Sequence, residues 1–374
     1  MILTASLTLL SLIGSAALAL SGLGSPLAVA HLAFAVGIVP LIFAAMIHFV
    51  PVLTRTGDPD RRLAWLPSLA QAGGLLVVAA MQGWLPYHLL YLAAAVDLVV
   101  AAILLRWIIG RARAALGSPH PGWRWYGAAL GCLMLALPAI LLIPVWPSHG
   151  QGLRLFHLHL NTLGFVGLAA LGTLPVLLPT ALGKPDPEAG SWLRRRWWLA
   201  ASGVLITAVG VAIDWPFAAP GAALLLIVAL SLAVQWGRRF GISTLLRDGV
   251  AASLLAAVLG LLLALLAGLL HGAGLISTRP SLPAWACGFL LPLVSGALSQ
   301  LLPVWRWPGP QTPARLAMRQ MLAASGVLRA ALFLSASLAL LLGLELLGAA
   351  LLACAMALFV IGLLQAVRVS APTR

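Results

Sequence analysis

The chain has 374 residues, of which 62% are hydrophobic and only 8% charged. A soluble globular protein carries roughly 25% charged residues, so ordinary solubility is excluded. The net charge of +14 suggests an anionic or nucleic-acid partner, but the placement of the basic residues gives it another meaning.

Apolar runs of 18 residues or more recur from end to end. Each is long enough to cross a hydrocarbon core of roughly 30 Å. Backbone polar groups in lipid must be satisfied internally, so these runs are expected to be helices. No alternating pattern of a membrane barrel occurs. The runs predict an all-α, polytopic membrane protein forming a single transmembrane domain over 1–374. Its twelve spans are placed at 2–21, 27–53, 63–83, 87–109, 125–146, 155–181, 197–214, 219–237, 249–270, 283–305, 317–340 and 346–367. The first span ends in "SAALALSG", which resembles a cleavage site, but it lacks the basic start of a signal peptide. It is therefore counted as a span.

All basic residues but Arg154, Arg279 and Arg329 follow even-numbered spans or the last one. That asymmetry is the positive-inside pattern. It predicts a bacterial-type inner membrane protein with both termini cytoplasmic and the lipid bilayer as its main partner. It leaves no reason to invoke nucleic acid. Cys132, Cys287 and Cys354 stand singly within spans, which offers neither a disulfide framework nor a Cys-x-x-Cys metal site.

Three segments resemble one another. They are "HLAFAVGIVPLIFAAMIHFVPVLTRTGDP" from His31, "HLNTLGFVGLAALGTLPVLLPTALGKPDP" from His159 and "PAWACGFLLPLVSGALSQLLPVWRWPGP" from Pro283. Each ends its span near a proline, Pro51, Pro179 or Pro303. Twenty residues before those prolines stand His31, His159 and Pro283. Spans 2, 6 and 10 therefore correspond, and the repeat is four helices long, over about 1–122, 123–246 and 247–374. An even number of helices keeps every copy in the same orientation, unlike the inverted halves of many transporters.

Twelve spans in three four-helix units resemble subunit I of haem-copper oxidases and nitric oxide reductases. The stretches "AHLAF" and "HFVPVLTRTGDP" are similar to the NnrS family of haem- and copper-containing membrane proteins linked to nitric-oxide stress. The resemblance implies haem, of b type, with copper as a further cofactor. It also implies a redox partner or quinol, and a role in nitric-oxide handling, electron transfer or redox sensing. The departures are specific. Oxidase subunit I carries a histidine pair on span 7 and two more on span 10, whereas here neither span has any. Oxygen reduction by that mechanism is not expected, and whether the chain is an oxidoreductase at all stays open.

The predicted topology places His31, His88, His149, His157, His159 and His271 near the external face. Histidine is the common haem and metal ligand, and a shared depth is what a site built from several helices requires. His31, His157, His159 and His271 are the candidate haem or metal ligands, with His88 a further metal candidate. Arg154, three residues before His157, is placed to meet a haem propionate. On a regular helix His157 and His159 diverge by about 200°, so they face different neighbours. The alternative reading of each imidazole is a helix-end residue at the interface. Asp97 and Arg329 lie mid-span and are expected to face protein and each other; the alternative for Asp97 is a place on a proton path or a role in orienting a ligating histidine. Two other functions fit the same spans: a cofactor-free transporter or channel with a histidine-lined path, and an assembly subunit of a respiratory complex.

Overall fold

The computed structural model describes residues 1–276 and 281–369. Arg279 and Arg374 of the basic set lie outside them. The described residues hold helices and no strand. Twelve helices among them are long and apolar enough to span a membrane, so the chain is a multi-pass membrane protein.

The chain divides into two compact units, Met1–Gly172 and Thr173–Arg374. The first holds span 1 (Ile2–Ser21), span 2 (Pro26–Thr54), span 3 (Arg61–Met81), span 4 (Leu89–Arg113) and span 5 (Gly122–Leu141), and most of span 6 (Pro147–Ala181). The second holds span 7 (Ala189–Ile213), span 8 (Trp215–Phe240), span 9 (Gly249–Gly272), span 10 (Ser281–Arg306), span 11 (Pro313–Leu341) and span 12 (Glu345–Val367). Two starts differ from expectation by eight residues, the largest shifts among the twelve. Span 6 begins at Pro147 instead of 155, and span 7 at Ala189 instead of 197. Hydropathy reports the part of a helix in hydrocarbon. The helix itself continues into the interface, where Arg194, Arg195 and Arg196 keep their charged heads in water.

Spans 2, 6 and 10 share a departure from the regular helix. Each contains a π-helical segment: Leu32–Ile38, Leu160–Gly167 and Ala286–Leu290. Each segment ends twelve or thirteen residues before Pro51, Pro179 or Pro303. The five-residue register is explicit in two of them. The amide of Val39 donates to Phe34 O, and that of Leu291 to Ala286 O. A π-bulge disturbs the ladder and leaves carbonyls in need of donors, which hydrocarbon cannot supply.

In the first unit neighbouring spans supply them. Thr8 Oγ1 of span 1 donates to Gly37 O (2.9 Å), and Gln71 Nε2 of span 3 donates to Val36 O (3.1 Å). Gly74 of span 3 lies against the same segment, and a Cβ there would overlap the Ala35 carbonyl. In span 6 the donors are local: Asn161 Nδ2 donates to His157 O and Thr162 Oγ1 to Leu158 O, both at 2.8 Å. Spans 2 and 6 meet through Phe43 and Phe165, edge to face at 5.7 Å.

In the second unit Gly260 of span 9 sits on the backbone of Gly288, inside the span 10 segment. Ser337 Oγ of span 11 donates to Ala284 O (2.8 Å) just ahead of it. Span 11 is not continuous: its helix stops at Ala323 and restarts at Gly326. A Ser–Gly pair, Ser325–Gly326, is a common cause of such a break.

The basic ends of the spans also hold structure. Arg111 donates to Gly57 O and Asp58 O, tying the loop after span 2 to the end of span 4. Arg319 pairs with Asp248 at 2.7 Å and donates to Gln300 Oε1 and Ala181 O.

Candidate functional site: three anchored imidazoles

His31 and His159 each stand immediately before a π-helical segment. Both are part-buried. Their rings turn back on their own helices in the same way. His31 Nδ1 lies 2.7 Å from Leu27 O, and His159 Nδ1 lies 2.8 Å from Leu155 O, each four residues earlier. His157 does something different. Its Nδ1 lies 2.9 Å from Ala136 O, so it reaches across to span 5.

The chemistry of these contacts fixes the tautomer. A carbonyl oxygen only accepts, so Nδ1 must carry the hydrogen in all three rings. A neutral imidazole then presents its lone pair at Nε2. Ligating histidines are commonly held this way, with the far nitrogen donating to a carbonyl that orients the ring and raises its basicity. The first unit therefore carries imidazoles from spans 2 and 6 whose tautomers are set by backbone carbonyls.

His159 is anchored along its own helix, as His31 is. The remaining candidates are placed less favourably. His88 is exposed at the start of span 4, and His149 and Arg154 are exposed within the first turns of span 6. Among the described residues Arg154 makes no hydrogen bond or ion pair. His271, exposed at the end of span 9, bonds Ile276 O through Nδ1 (3.0 Å). It belongs to the second unit.

Among the described residues no group of three or more His, Cys, Asp or Glu side chains could hold a metal ion. A metal bound by side chains alone thus finds no ligand set of ordinary size. Haem is less demanding, because the macrocycle supplies four nitrogens and the protein needs to supply only one or two axial ligands. Two anchored imidazoles fit that requirement.

No family model and no curated protein matches the chain.

The two mid-span charges are accommodated separately. Arg329 is fully buried. It donates to Leu322 O (3.3 Å), Ser253 Oγ (3.5 Å) and Ser299 Oγ (3.4 Å), and lies over the Phe359 ring at 4.9 Å. Leu322 is in the last turn before the break in span 11, where carbonyls lack helical donors. Arg329 thus caps a half-helix, a position that suits a cation. Oxygens of its own unit hold it.

Sequence reasoning located the histidines but missed the π-helical segments that follow two of them, and the Ala136 carbonyl that holds the third. One signal was available. A glycine (Gly37, Gly164 or Gly288) stands 14 or 15 residues before each of the three prolines.

Proposed function

We propose that this chain is a haem-binding membrane protein in which His31 and His157 offer Nε2 to the iron, with His159 beside them. The observation that carries the reading is the anchoring of all three rings through Nδ1 to backbone carbonyls. It leaves Nε2 as the ligating atom and pre-orients it. Haem bound there would supply one-electron chemistry and an iron site for a diatomic gas. The role we propose is nitric-oxide handling, electron transfer or redox sensing, on an NnrS-like or oxidase subunit I-like frame. The missing three-ligand set among the described residues favours haem over a copper centre built from side chains alone.

The same proposal includes three four-helix repeats and cytoplasmic termini. The repeat is supported by the matching π-helical segments in spans 2, 6 and 10. The orientation is supported by the skewed placement of the arginines, and labelling of a cysteine at position 60 or 190 from outside intact spheroplasts would contradict it.

The test is spectroscopic. Purified protein should show a Soret band and a reduced-minus-oxidised spectrum. His31→Ala and the His157→Ala/His159→Ala double variant should lose or shift it while still accumulating in the membrane. An unchanged spectrum in both, or a wild type without haem or copper, ends the reading.

One observation favours a second reading, a cofactor-free transporter. Span 11 is interrupted beside buried Arg329, and discontinuous spans build substrate sites in many transporters. A colourless protein that supports solute flux in proteoliposomes would select it.

A further inference from the structure

Asp97 is the ninth residue of the 25-residue helix of span 4. It is 6% exposed. Its Oδ1 is fully covered and has no hydrogen-bond partner, and among the described residues no hydrogen bond or ion pair reaches its other oxygen. Gly73 of span 3 lies against Asp97. A Cβ there would stand 3.2 Å from Oδ1 and 3.5 Å from Ala93 O. The missing side chain is therefore what makes room for the carboxyl group.

Spans 3 and 5 and the second half of span 2 pack against span 4. Over Leu66–Met81, span 3 brings no titratable side chain. Span 5 brings Arg124, Tyr126 and Cys132, and span 2 brings His48. None of these bonds to Asp97 or pairs with it. On its own span, Arg106 is nine residues away, about 13.5 Å along a helix, and Tyr91 is six residues away.

A carboxylate needs a cation, a set of donors or water to remain ionised in an apolar interior. Asp97 has none of the protein groups that could serve. A carboxylic acid needs none of them, because the neutral form carries no charge to compensate. We propose that Asp97 is a proton-binding site: a carboxylic acid that holds an exchangeable proton in the middle of the membrane. The ligand is the proton itself, so no cavity is required.

The site also has a structural link to the imidazoles. Gly73 meets Asp97, while its neighbours Gln71 and Gly74 meet the π-helical segment that begins after His31. One short stretch of span 3 thus touches both. The proton site does not depend on haem being bound, and its test reads a different signal.

The experiment is infrared spectroscopy on the full-length protein in lipid vesicles, labelled with ¹³C-aspartate, at a pH where exposed carboxyls are ionised. The wild type should show one protonated-acid carbonyl stretch that carries the isotope shift and moves on transfer to D₂O. Asp97→Asn should lose the band, and Asp97→Glu should replace it with one lacking the aspartate isotope shift. If Asp97→Asn does not accumulate, the labelled wild type and Asp97→Glu still decide. Any one of four results overturns the proposal: no protonated band in the wild type, a band that survives Asp97→Glu unchanged, a band that does not move in D₂O, or a band abolished by sodium, which would make Asp97 a metal-cation site.

Discussion

The π-helical segments of spans 2 and 10 are built alike and equipped differently. In both, a five-residue register opens the helix, a glycine lies inside it, and a neighbouring span presses its backbone or a hydroxyl against it. Ahead of the segment in span 2 stands His31, anchored through Nδ1. Ahead of the segment in span 10 stands Trp285, which offers no lone pair to a metal. Span 6 follows span 2, with His159 at the same place. The backbone device therefore belongs to the fold, and the imidazole is an addition confined to two of its three occurrences. The buried charges differ in the same way. Arg329 has oxygens gathered around it, whereas Asp97 has nothing.

The largest effect should come from the backbone device. Gly260 lies on the backbone of Gly288, so any side chain forces two main chains apart. Overpacking usually costs 1–3 kcal/mol, and a clash with rigid backbone belongs at the top of that range. Gly260→Val should therefore cost about 3 kcal/mol, read as a lower thermal midpoint in detergent or as loss of folded material. Gly74→Val should do the same in the first unit, because its Cβ would overlap Ala35 O. Gly131 has nothing within 4 Å of a Cβ. Gly131→Ala should be neutral or stabilise by up to about 1 kcal/mol through helix propensity. Equal effects at all three positions would remove the claim of close backbone approach.

A smaller effect tests the charges. Arg329→Leu takes the donor from Ser253 and Ser299 and one of two donors from Leu322 O, which Ser299 Oγ also reaches, and should cost about 1–3 kcal/mol. Asp97→Asn exchanges one unpartnered group for another of similar shape and should change stability by less than about 1 kcal/mol. Because the two residues share no partner, the double variant should equal the sum within about 0.5 kcal/mol. A coupling well above that, in a thermal-unfolding cycle, would restore the ion pair that the sequence suggested.

The sequence and the structure agree where physics acts on composition. Runs of twenty apolar residues leave little choice but a spanning helix, and all twelve spans were legible. Helix ends were less so, as spans 6 and 7 show, because hydropathy sees where lipid ends and not where hydrogen bonding does. The break in span 11 left a trace in Ser325–Gly326. The π-helical segments left almost none, since a change of hydrogen-bond register alters no residue. Of the candidate site, the residues were legible and the relations among them were not. His31 and His159 match by interval and are anchored alike, whereas His157 crosses to Ala136 of span 5, a tertiary contact with no sequence signature. The surroundings of Arg329 were not legible for a related reason. The cost of a buried charge is readable from a sequence, but the oxygens that meet it are not.

The finest test separates two things His157 does. Its Nδ1 anchors span 6 to Ala136 O of span 5, and its Nε2 is the proposed ligand. Asparagine places an amide nitrogen close to where Nδ1 stands and has nothing at the position of Nε2. His157→Ala loses both, and should cost about 1 kcal/mol of stability for the unmet hydrogen bond as well as the spectral signature. His157→Asn should recover most of that stability while the spectrum stays lost or shifted. His159→Ala gives up only a bond to its own helix at Leu155 O, and its stability cost should be the smaller of the two alanine changes. If His157→Asn kept a wild-type reduced-minus-oxidised spectrum, His157 would be an anchor alone, and the ligand role would pass to His31 and His159. If His157→Ala were as stable as wild type, the anchor would be dispensable, and with it the argument that the fold pre-orients this ring.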